Sequence, residues 1–218
     1  MRAGAFDRSR AVARALPSLS RLAEAAAAAL GSGGRLLYAG AGTSGRLAAL
    51  DAAECPPTFG VAPSRVRALV AGGARALSRA VEGAEDDGEA ARRAVRRARA
   101  GAGDLLVGVS ASGTTPFVLA ALAEARARGA ATALLTSNPA ARAPGALRVV
   151  LATGAERIAG STRMKAGAAA KMALALVSSA AFVRLGAVRA GRMLEVRPGS
   201  EKLRRRAVRT VADRKSVV

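Results

Sequence analysis

The sequence predicts an α/β fold, a three-layer αβα sandwich in which a five-stranded parallel sheet lies between helices. Short apolar runs typical of buried strands alternate along the 218 residues with longer Ala- and Leu-rich runs typical of helices. Loops rich in glycine and hydroxyl residues directly follow two of the strand-like runs. Because ligands of doubly wound sheets bind where the strands end, these loops are the expected binding region.

The elements are expected in a regular order. The strand-like runs lie at 35–39, 66–71, 104–109, 131–136 and 147–151. The helical runs lie at 9–30, directly after the first loop, and at 75–100, 117–129, 166–186 and 201–210. Pro17 is an irregularity in the first helix, and an acidic stretch between Gly83 and Gly88 interrupts the run at 75–100.

The predicted strand order is 2-1-3-4-5, the flavodoxin-like order. It makes strands one and three neighbours, so that both loops lie beside the point where the strand order reverses. We divide the chain into an N-terminal helix at 1–30, a central ligand-binding domain at 31–190 and a C-terminal helical segment at 191–218.

Three loops that precede helices have the composition of anion sites. Gly40–Gly45 carries Thr43 and Ser44, Ser110–Pro116 carries several hydroxyl groups, and Gly160–Lys165 carries both hydroxyl groups and cations. Backbone N–H groups and the helix dipole favour an anion at such positions. The first loop lacks the spacing of a dinucleotide site and the Gly-Lys-Ser/Thr of a P-loop, so a plain glycine turn is its alternative interpretation.

The absence of histidine narrows the possible chemistry. It excludes Ser-His-Asp triads, Cys-His pairs and histidine-ligated metals. Acid–base catalysis must then use Glu, Asp, Lys, Tyr38 or Cys55. A lone cysteine forms no internal disulfide, which fits a reducing compartment, and Cys55 is interpreted as a small buried residue. No metal or cofactor is expected.

The formal net charge of +20 is a feature shared with nucleic-acid-binding proteins. Most of this charge comes from arginines scattered along helical runs, and aromatic residues that could stack on bases make up only 2% of the chain. We therefore expect no nucleic-acid partner. No long uncharged apolar run and no cleavable leader is recognised, so a cytoplasmic protein without a membrane segment is expected.

Several motifs together resemble those of one family. They are GAGTSGR, DAAECPPTFG, AVEGAEDD, SASGTTP, SNP and GSTRMKAG, in order over about residues 9–210. On these motifs the chain resembles the N-acetylmuramic acid 6-phosphate etherases, a branch of the sugar isomerase (SIS) domain superfamily. The non-enzymatic glucokinase regulatory protein is a relative of that branch. DAAECPPTFG and GSTRMKAG are specific to the branch, whereas SASGTTP is common to SIS domains.

The resemblance implies an enzyme and its site. Members cleave the D-lactyl ether of N-acetylmuramic acid 6-phosphate to N-acetylglucosamine 6-phosphate and D-lactate in peptidoglycan recycling, as homodimers without metal or cofactor. The implied catalytic residues are Glu54 and Glu85. The implied phosphate-binding hydroxyls are those of Ser110, Ser112 and Thr115. Further contacts to the sugar phosphate are implied for Gly42, Thr43, Ser44, Gly113, Ser161 and Lys165.

The implied reaction agrees with the residue types. In the open-chain sugar the C2 proton lies α to a carbonyl, so a carboxylate can remove it before lactate leaves from C3 and water adds. Two glutamates in a largely closed site, with their pKa values pushed apart, can supply these proton transfers. We assign Glu54 to the ether oxygen and the water and Glu85 to C2, and the reverse assignment is left open.

Two other functions use the same loops. A non-catalytic sugar-phosphate regulator would keep the pocket without the chemistry, and a sugar-phosphate isomerase would use the carboxylates differently. The family pattern also differs from this chain at both ends: members usually have more residues before the first helix and a small helical domain after the point where this chain stops. The resemblance therefore implies that the C-terminal domain is missing here.

Overall fold

The structure is a five-stranded parallel sheet with helices on both faces. The computed structural model describes residues 3–194 together with residues 201, 204, 205 and 208, and for residues 3–7 it describes the backbone. The strands are β1 (Leu36–Gly40), β2 (Val66–Val70), β3 (Leu105–Val109), β4 (Ala131–Thr136) and β5 (Leu147–Val150). They pair in the order β2-β1-β3-β4-β5, which confirms the predicted fold class and strand order.

Two groups of helices cover the two faces of the sheet. The helices are α1 (Ala3–Arg14), α2 (Leu16–Gly31), α3 (Gly42–Phe59), α4 (Arg75–Ser78), α5 (Gly88–Arg97), α6 (Pro116–Ala127) and α7 (Lys165–Arg184). One core combines α2, α3 and α7 with Leu36 and Tyr38, and the other combines α5 and α6 with Leu37 and Ala39. Alternate residues of β1 therefore serve the two cores, as the two-residue period of a strand requires.

The N-terminal segment is two helices, and the single helix predicted at 9–30 is wrong. α1 ends at Arg14 and α2 begins at Leu16, so the break falls at Ala15. Pro17 lies in the first turn of α2, where its missing N–H costs no helical hydrogen bond. Buried apolar residues continue through the break, and the sequence pattern therefore did not distinguish a new helix start from an irregularity.

The structure adds a hairpin that the sequence did not predict. β6 (Val188–Arg189) and β7 (Arg192–Met193) pair antiparallel around Ala190 and Gly191, which both have positive φ. The boundary proposed between residues 190 and 191 therefore falls inside this hairpin. The described residues beyond 194 are helical, and the rest of the predicted segment at 191–218 lies outside the described residues.

α7 is the apolar helix predicted behind the third loop. By length and composition it could cross a membrane, but 56% of its most apolar window is buried inside the protein. It packs against α1, α2 and α3, so we interpret it as a core helix. Met172, Leu176 and Val183 are exposed at helical spacing. We call these three side chains the outer stripe of α7.

We call the end of the sheet where the strands begin the amino edge. There, hydrogen bonds of Arg35 and Asp104 connect the starts of β1 and β3 with the loop that precedes β3. Asp104 accepts hydrogen bonds from Arg35 N at 2.9 Å, from Arg35 Nε at 3.1 Å and from Gly101 N at 3.2 Å. The guanidinium also donates to the carbonyls of Ala98 and Arg99. Burial raises the pKa of Asp104, but the bonds from Arg35 and Gly101 more than offset this effect, so the pKa lies below its ordinary value.

Candidate active site

We call the end of the sheet where the strands finish the carboxyl edge. The first predicted loop connects β1 to α3 there. A Cβ on Gly40 would lie 2.8 Å from Gly45 N, and a Cβ on Gly45 would lie 2.7 Å from Gly40 O. Only glycines therefore allow the strand and the helix to approach so closely. Gly42, Thr43 and Ser44 form the first turn of α3, which no described side chain caps. This turn presents backbone donors to a ligand.

The second loop, Ser110–Thr115, is held in shape by its own hydroxyl groups. The buried Ser110 hydroxyl shares hydrogen bonds with the hydroxyls of Thr115 at 2.7 Å and Ser112 at 3.3 Å. Ser112 Oγ also accepts from the Thr114 N–H at 3.2 Å and from the Thr114 hydroxyl at 3.0 Å. Thr115 precedes α6 as predicted, but its hydroxyl bonds to Ser110 and does not cap the helix. The loop thus gathers hydroxyl groups at a helix N-terminus.

Gly113 determines how closely the second loop lies against the loop after β4. It has φ +72°, and a Cβ there would lie 2.2 Å from Ala141 Cβ and 2.9 Å from the Thr136 hydroxyl oxygen. Asn138 joins the two loops by donating from Nδ2 to the Ser112 carbonyl at 2.8 Å. A side chain at position 113 would separate these loops, and only glycine fits there.

The third segment, at the start of α7, is capped from within the chain. Glu156 accepts hydrogen bonds from the N–H groups of Lys165 and Ala166, both at 2.9 Å, one on each carboxylate oxygen. The Lys165 ammonium donates to the carbonyls of Thr153 and Ala155. Glu156 therefore fills the anion position of this helix, and Lys165 holds the preceding loop. The substrate contact expected for Lys165 stays a prediction.

A cavity of about 420 Å³ opens between the second loop, the loop after β4 and the third segment. Its polar lining includes Ser112, Ser137, Asn138, Glu156 and Ser161. Cavities of this size accommodate small polar metabolites. The structure thus brings two of the predicted hydroxyl residues, Ser112 and Ser161, to one cavity. We call this cavity the main cavity.

Glu85 lies in the turn between α4 and α5, and its side chain is exposed. Its backbone carbonyl accepts a hydrogen bond of 3.0 Å from the N–H of Phe117, in the first turn of α6. Two residues further on, Asp87 caps α5 by accepting from Ala90 N at 2.7 Å. Because α6 begins at the second loop, the bond from Phe117 holds the Glu85 turn next to the hydroxyl cluster.

Glu54 lies in a different local structure from the one predicted. The two prolines that follow Glu54 in the sequence indicate a proline-bounded turn, and this prediction is wrong, because α3 continues as a helix through Pro56 and Pro57 to Phe59. The Phe59 ring stacks on Phe182 of α7 with ring centroids 4.4 Å apart. This packing stabilises a last helical turn that local sequence preference disfavours.

In a single copy of the chain, Glu54 and Glu85 are both exposed. At the rise of an α-helix, Glu54 lies about 18 Å along the axis from Gly42, where α3 begins. Glu54 is exposed, and Leu50, one turn before it on the same face, is 43% exposed. One copy of the chain therefore does not enclose either carboxylate, and the largely closed site expected for the two glutamates stays a prediction.

Sequence reasoning also misses a buried carboxylate on α3. Asp51 accepts hydrogen bonds from the Tyr38 hydroxyl at 2.7 Å and from the Ser178 hydroxyl at 3.0 Å. Burial raises the pKa of Asp51, although these two bonds act in the opposite direction. Burial, with the Asp51 charge, raises the pKa of Cys55 to about 12 and also raises the pKa of Tyr38. Tyr38 and Cys55 are therefore core residues, and the Asp51 network orients the helix that carries Glu54.

The sequence has relatives among proteins named N-acetylmuramic acid 6-phosphate etherase. The chain is 51% identical over 204 residues to the etherase of Deinococcus radiodurans, an alignment that covers 93% of this chain and 67% of that protein. For the etherase of Symbiobacterium thermophilum the identity is 48% over 203 residues, covering 92% and 67%. For that of Aeromonas hydrophila it is 46% over 205 residues, covering 93% and 69%.

Solved structures share the fold at low sequence identity. A protein of E. coli CFT073 in complex with A5P gives a TM-score of 0.59 at 16% identity, over 85% of this chain and 89% of that one. The phosphoheptose isomerase of Neisseria gonorrhoeae gives 0.56 at 20% identity, over 84% and 95%. The family model of the glucokinase regulatory protein N-terminal SIS domain matches residues 18–126. With this fold and these identities, the chain belongs to the N-acetylmuramic acid 6-phosphate etherase family.

Proposed function

We propose that this chain cleaves the D-lactyl ether of N-acetylmuramic acid 6-phosphate, releasing D-lactate and N-acetylglucosamine 6-phosphate. The observation that carries the proposal is the hydrogen bond from the Phe117 N–H to the Glu85 carbonyl. It holds a carboxylate-bearing turn against the hydroxyl-lined start of α6. Identities of 44% to 51% with named etherases, over more than nine-tenths of the chain, support the same function.

In this proposal the second loop holds the phosphate. The hydroxyls of Ser110, Ser112 and Thr115 are bonded to one another and can turn toward an anion at the α6 N-terminus. The N-terminus of α7 is a weaker candidate, because Glu156 already occupies it. The sugar then lies in the main cavity, with its further contacts to the first loop and to the third segment. These further contacts are with Gly42, Thr43, Ser44, Ser161 and Lys165.

The proposed chemistry uses the two glutamates as proton carriers. Glu85 accepts the C2 proton of the open-chain aldehyde, and the electron pair forms an enolate. Lactate then leaves from C3 while Glu54 donates a proton to the ether oxygen. Glu54 next takes a proton from water as it adds to C3 of the unsaturated aldehyde, and Glu85 returns a proton to C2. Substrate and water supply every atom of the products.

Turnover in D₂O tests this sequence of steps. We expect the N-acetylglucosamine 6-phosphate product to carry deuterium at C2, because the abstracted proton exchanges with solvent before it returns. Nuclear magnetic resonance of the product measures the label. A product without deuterium at C2 would indicate direct displacement at the ether carbon and would contradict the role of Glu85.

We further propose a homodimer in which Glu54 of the partner subunit completes each site. Within one chain, Glu54 lies on an outward face of α3 beside the exposed Leu50. The outer stripe of α7 is a second exposed apolar surface. A second copy that covers these surfaces would remove them from water and bring its own Glu54 into the interface.

Mixing two inactive variants tests the shared site. We expect Glu54→Gln and Glu85→Gln each to be inactive alone. After subunit exchange at equal amounts, half of the dimers are mixed and each has one intact site, so activity should recover to about a quarter of the wild-type level. Mixing either variant with itself is the control. No recovery, or a monomer by light scattering at micromolar concentration, would contradict the shared site.

The function itself is tested by incubating the protein with N-acetylmuramic acid 6-phosphate and assaying D-lactate. We expect D-lactate and N-acetylglucosamine 6-phosphate in equal amounts. Tight binding without release of lactate would favour the second candidate, a non-catalytic sugar-phosphate regulator. Two observations support that candidate: the match of residues 18–126 to the glucokinase regulatory protein SIS domain and the exposure of both glutamates.

We also propose a cytoplasmic location and a role in peptidoglycan recycling. The free thiol of Cys55 is buried, which suits a reducing compartment. The role in recycling follows from the proposed activity, because N-acetylmuramic acid is a sugar of peptidoglycan. Cell fractionation should recover the protein with cytoplasmic markers, and its recovery with periplasmic markers would contradict the proposed location.

A further inference from the structure

A second cavity, of about 480 Å³, lies on the other side of the third segment from the main cavity. It is bounded by α1 and by the first two turns of α3 and of α7. The residues that line it include Arg8, Ser9, Thr43, Leu47, Arg163 and Lys171. Among the residues whose side chains the structure describes, no Asp or Glu lines it. We call it the basic cavity.

In the part of the chain that the structure describes, Arg8 and Arg163 have no anionic partner, and Lys171 interacts with the buried Asp51 through its charge but without a hydrogen bond. Arg8, Arg163 and Lys171 make no hydrogen bond or ion pair there, whereas Arg35 at the amino edge is bonded to Asp104 and to carbonyls. Like charges that face one cavity repel each other, and an anion placed among them relieves this repulsion. The basic cavity therefore has the electrostatics of an anion site.

The third segment connects the basic cavity to the main cavity. Along this segment Thr162 and Ala166 line the main cavity, while Arg163 and Gly167 line the basic cavity. A Cβ on Gly167 would lie 3.4 Å from Thr43 Cγ2, so the missing side chain leaves a narrow space between the first loop and the third segment. The two cavities adjoin here, and one ligand that lies across the third segment would reach both.

The substrate of the proposed function carries two anions on different sides of its ring, the phosphate at C6 and the lactyl carboxylate on the C3 oxygen. We propose that the basic cavity binds the lactyl carboxylate, with Arg163 and Lys171 as its main partners. This inference rests on the proposed function, in which the second loop takes the phosphate. A guanidinium matches a carboxylate through two parallel hydrogen bonds, and the ammonium of Lys171 adds a point charge.

This assignment gives the basic cavity a role in specificity. N-acetylglucosamine 6-phosphate has the same phosphate and ring but no lactyl group, so it cannot use the basic cavity. The enzyme should therefore bind substrate more tightly than this product. A fixed carboxylate also holds the lactyl oxygen in one orientation relative to C3 while the ether bond breaks.

Binding measurements on the full chain test the assignment, with Glu85→Gln present in every protein to prevent turnover. Isothermal titration measures Kd for N-acetylmuramic acid 6-phosphate and for N-acetylglucosamine 6-phosphate. Adding Arg163→Gln should weaken binding of the first ligand by about tenfold to a hundredfold and leave binding of the second unchanged. Lys171→Met is a second, independent variant with the same expected pattern.

The matched control is Arg157→Gln, which removes the same charge from an exposed arginine of the same loop outside the basic cavity. It should change neither Kd. Circular dichroism verifies that each variant is folded. Equal weakening of both ligands by Arg163→Gln and Lys171→Met would place the phosphate in the basic cavity and overturn the proposal. Unchanged binding of both ligands would overturn it as well.

The lactate assay tests the proposed function separately from these binding measurements. If the wild-type protein releases no D-lactate but both variants lose affinity only for the muramic ligand, the carboxylate subsite stands and the etherase activity does not. If lactate is released and the variants do not discriminate between the ligands, the activity stands and the subsite does not. A protein that binds neither ligand overturns both.

Discussion

The two edges of the sheet use the same kinds of polar side chain in opposite ways. At the amino edge, the Arg35 guanidinium is bonded to Asp104 and to two backbone carbonyls, and Arg65 donates to two further carbonyls. At the carboxyl edge, Arg163 and Lys171 lack such partners among the described residues. The hydroxyls of the second loop there are bonded mainly to one another.

This difference in hydrogen-bond partners distinguishes polar groups that stabilise the fold from polar groups that are available to bind a ligand. A cation whose donors are already paired with carbonyls or a carboxylate contributes to stability and is costly to disturb. A hydroxyl bonded to another hydroxyl can rotate and donate to an incoming anion. The high arginine content of the chain therefore does not indicate its function. The position of each arginine relative to the two edges does.

The largest expected effect is on the rate of the reaction. Glu54→Gln and Glu85→Gln keep size and hydrogen bonding but remove the proton acceptor, so each should lower kcat about 10²–10⁴-fold with little change in KM. Both residues are exposed, and the thermal midpoint should not change. Glu82→Gln, in the same exposed turn as Glu85, is the control and should keep full activity. Full kcat in either test variant would make that glutamate a sugar-binding group.

At the amino edge the expected effect is on stability and not on rate. Asp104→Asn removes the charge that pairs with Arg35, and it should lower the free energy of unfolding by about 2–3 kcal/mol. Chemical denaturation measures this loss, and kcat should stay at the wild-type value. Glu124→Gln, which breaks a more exposed pair with Arg96, should cost less. A fall in kcat at unchanged stability would contradict the separation of the two edges.

The same pair predicts a pH dependence with a definite sign. The folded-state pKa of Asp104 lies below its unfolded value, so its contribution is fully present above about pH 4. That contribution is lost as the pH falls through the folded-state pKa. Denaturation curves of Asp104→Asn should therefore converge on those of the wild type in acid. Curves that stay equally far apart across this window would exclude ionised Asp104 as the stabilising group.

A smaller effect is expected from a single hydroxyl of the second loop. Ser112→Ala removes one of the hydrogen bonds proposed for the phosphate, and it should raise KM for N-acetylmuramic acid 6-phosphate about tenfold. Steady-state kinetics measures the change. Ser64→Ala, an exposed serine just before β2 at the amino edge, is the control and should leave KM unchanged. An unchanged KM in Ser112→Ala would move the phosphate to the first loop.

The smallest expected effect is that of a chelator. Among the described residues no group of three or more His, Cys, Asp or Glu side chains could hold a metal ion, and the sequence has no histidine. We therefore expect the rate of lactate release to be the same with and without EDTA. A rate that falls with EDTA and returns with a divalent cation would add a metal to the carboxyl edge.

The strands and the hydroxyl loops were predictable because their signals are local. A buried parallel strand is a short apolar run, and the loop that ends it carries its glycines and hydroxyls within a few residues. The acidic interruption predicted between Gly83 and Gly88 does end at the start of α5, but it begins earlier than predicted, because α4 ends at Ser78. The roles assigned to Glu54 and Glu85 came from motif resemblance and stay predictions.

The parts that sequence did not predict depend on distant partners. Asp51 is bonded to Ser178, which lies on α7 far along the chain. The sequence around either residue does not indicate the other as its partner. The last turn of α3 forms although it contains two prolines, because Phe59 packs on Phe182. Tertiary packing also left Glu54 on an outward face, where residue patterns had indicated a turn.

If the proposed roles hold, the hydrogen bond between Phe117 and Glu85 also predicts how the energy of substrate binding is used. The same first turn of α6 that is proposed to hold the phosphate also holds the backbone of the turn that carries Glu85. A sugar without its phosphate would leave this turn less ordered, so Glu85 would spend less time facing C2. Such a truncated sugar should react more slowly even at saturation, and not only bind more weakly. The phosphate, although remote from the bond that breaks, would then contribute to the rate of the chemical step.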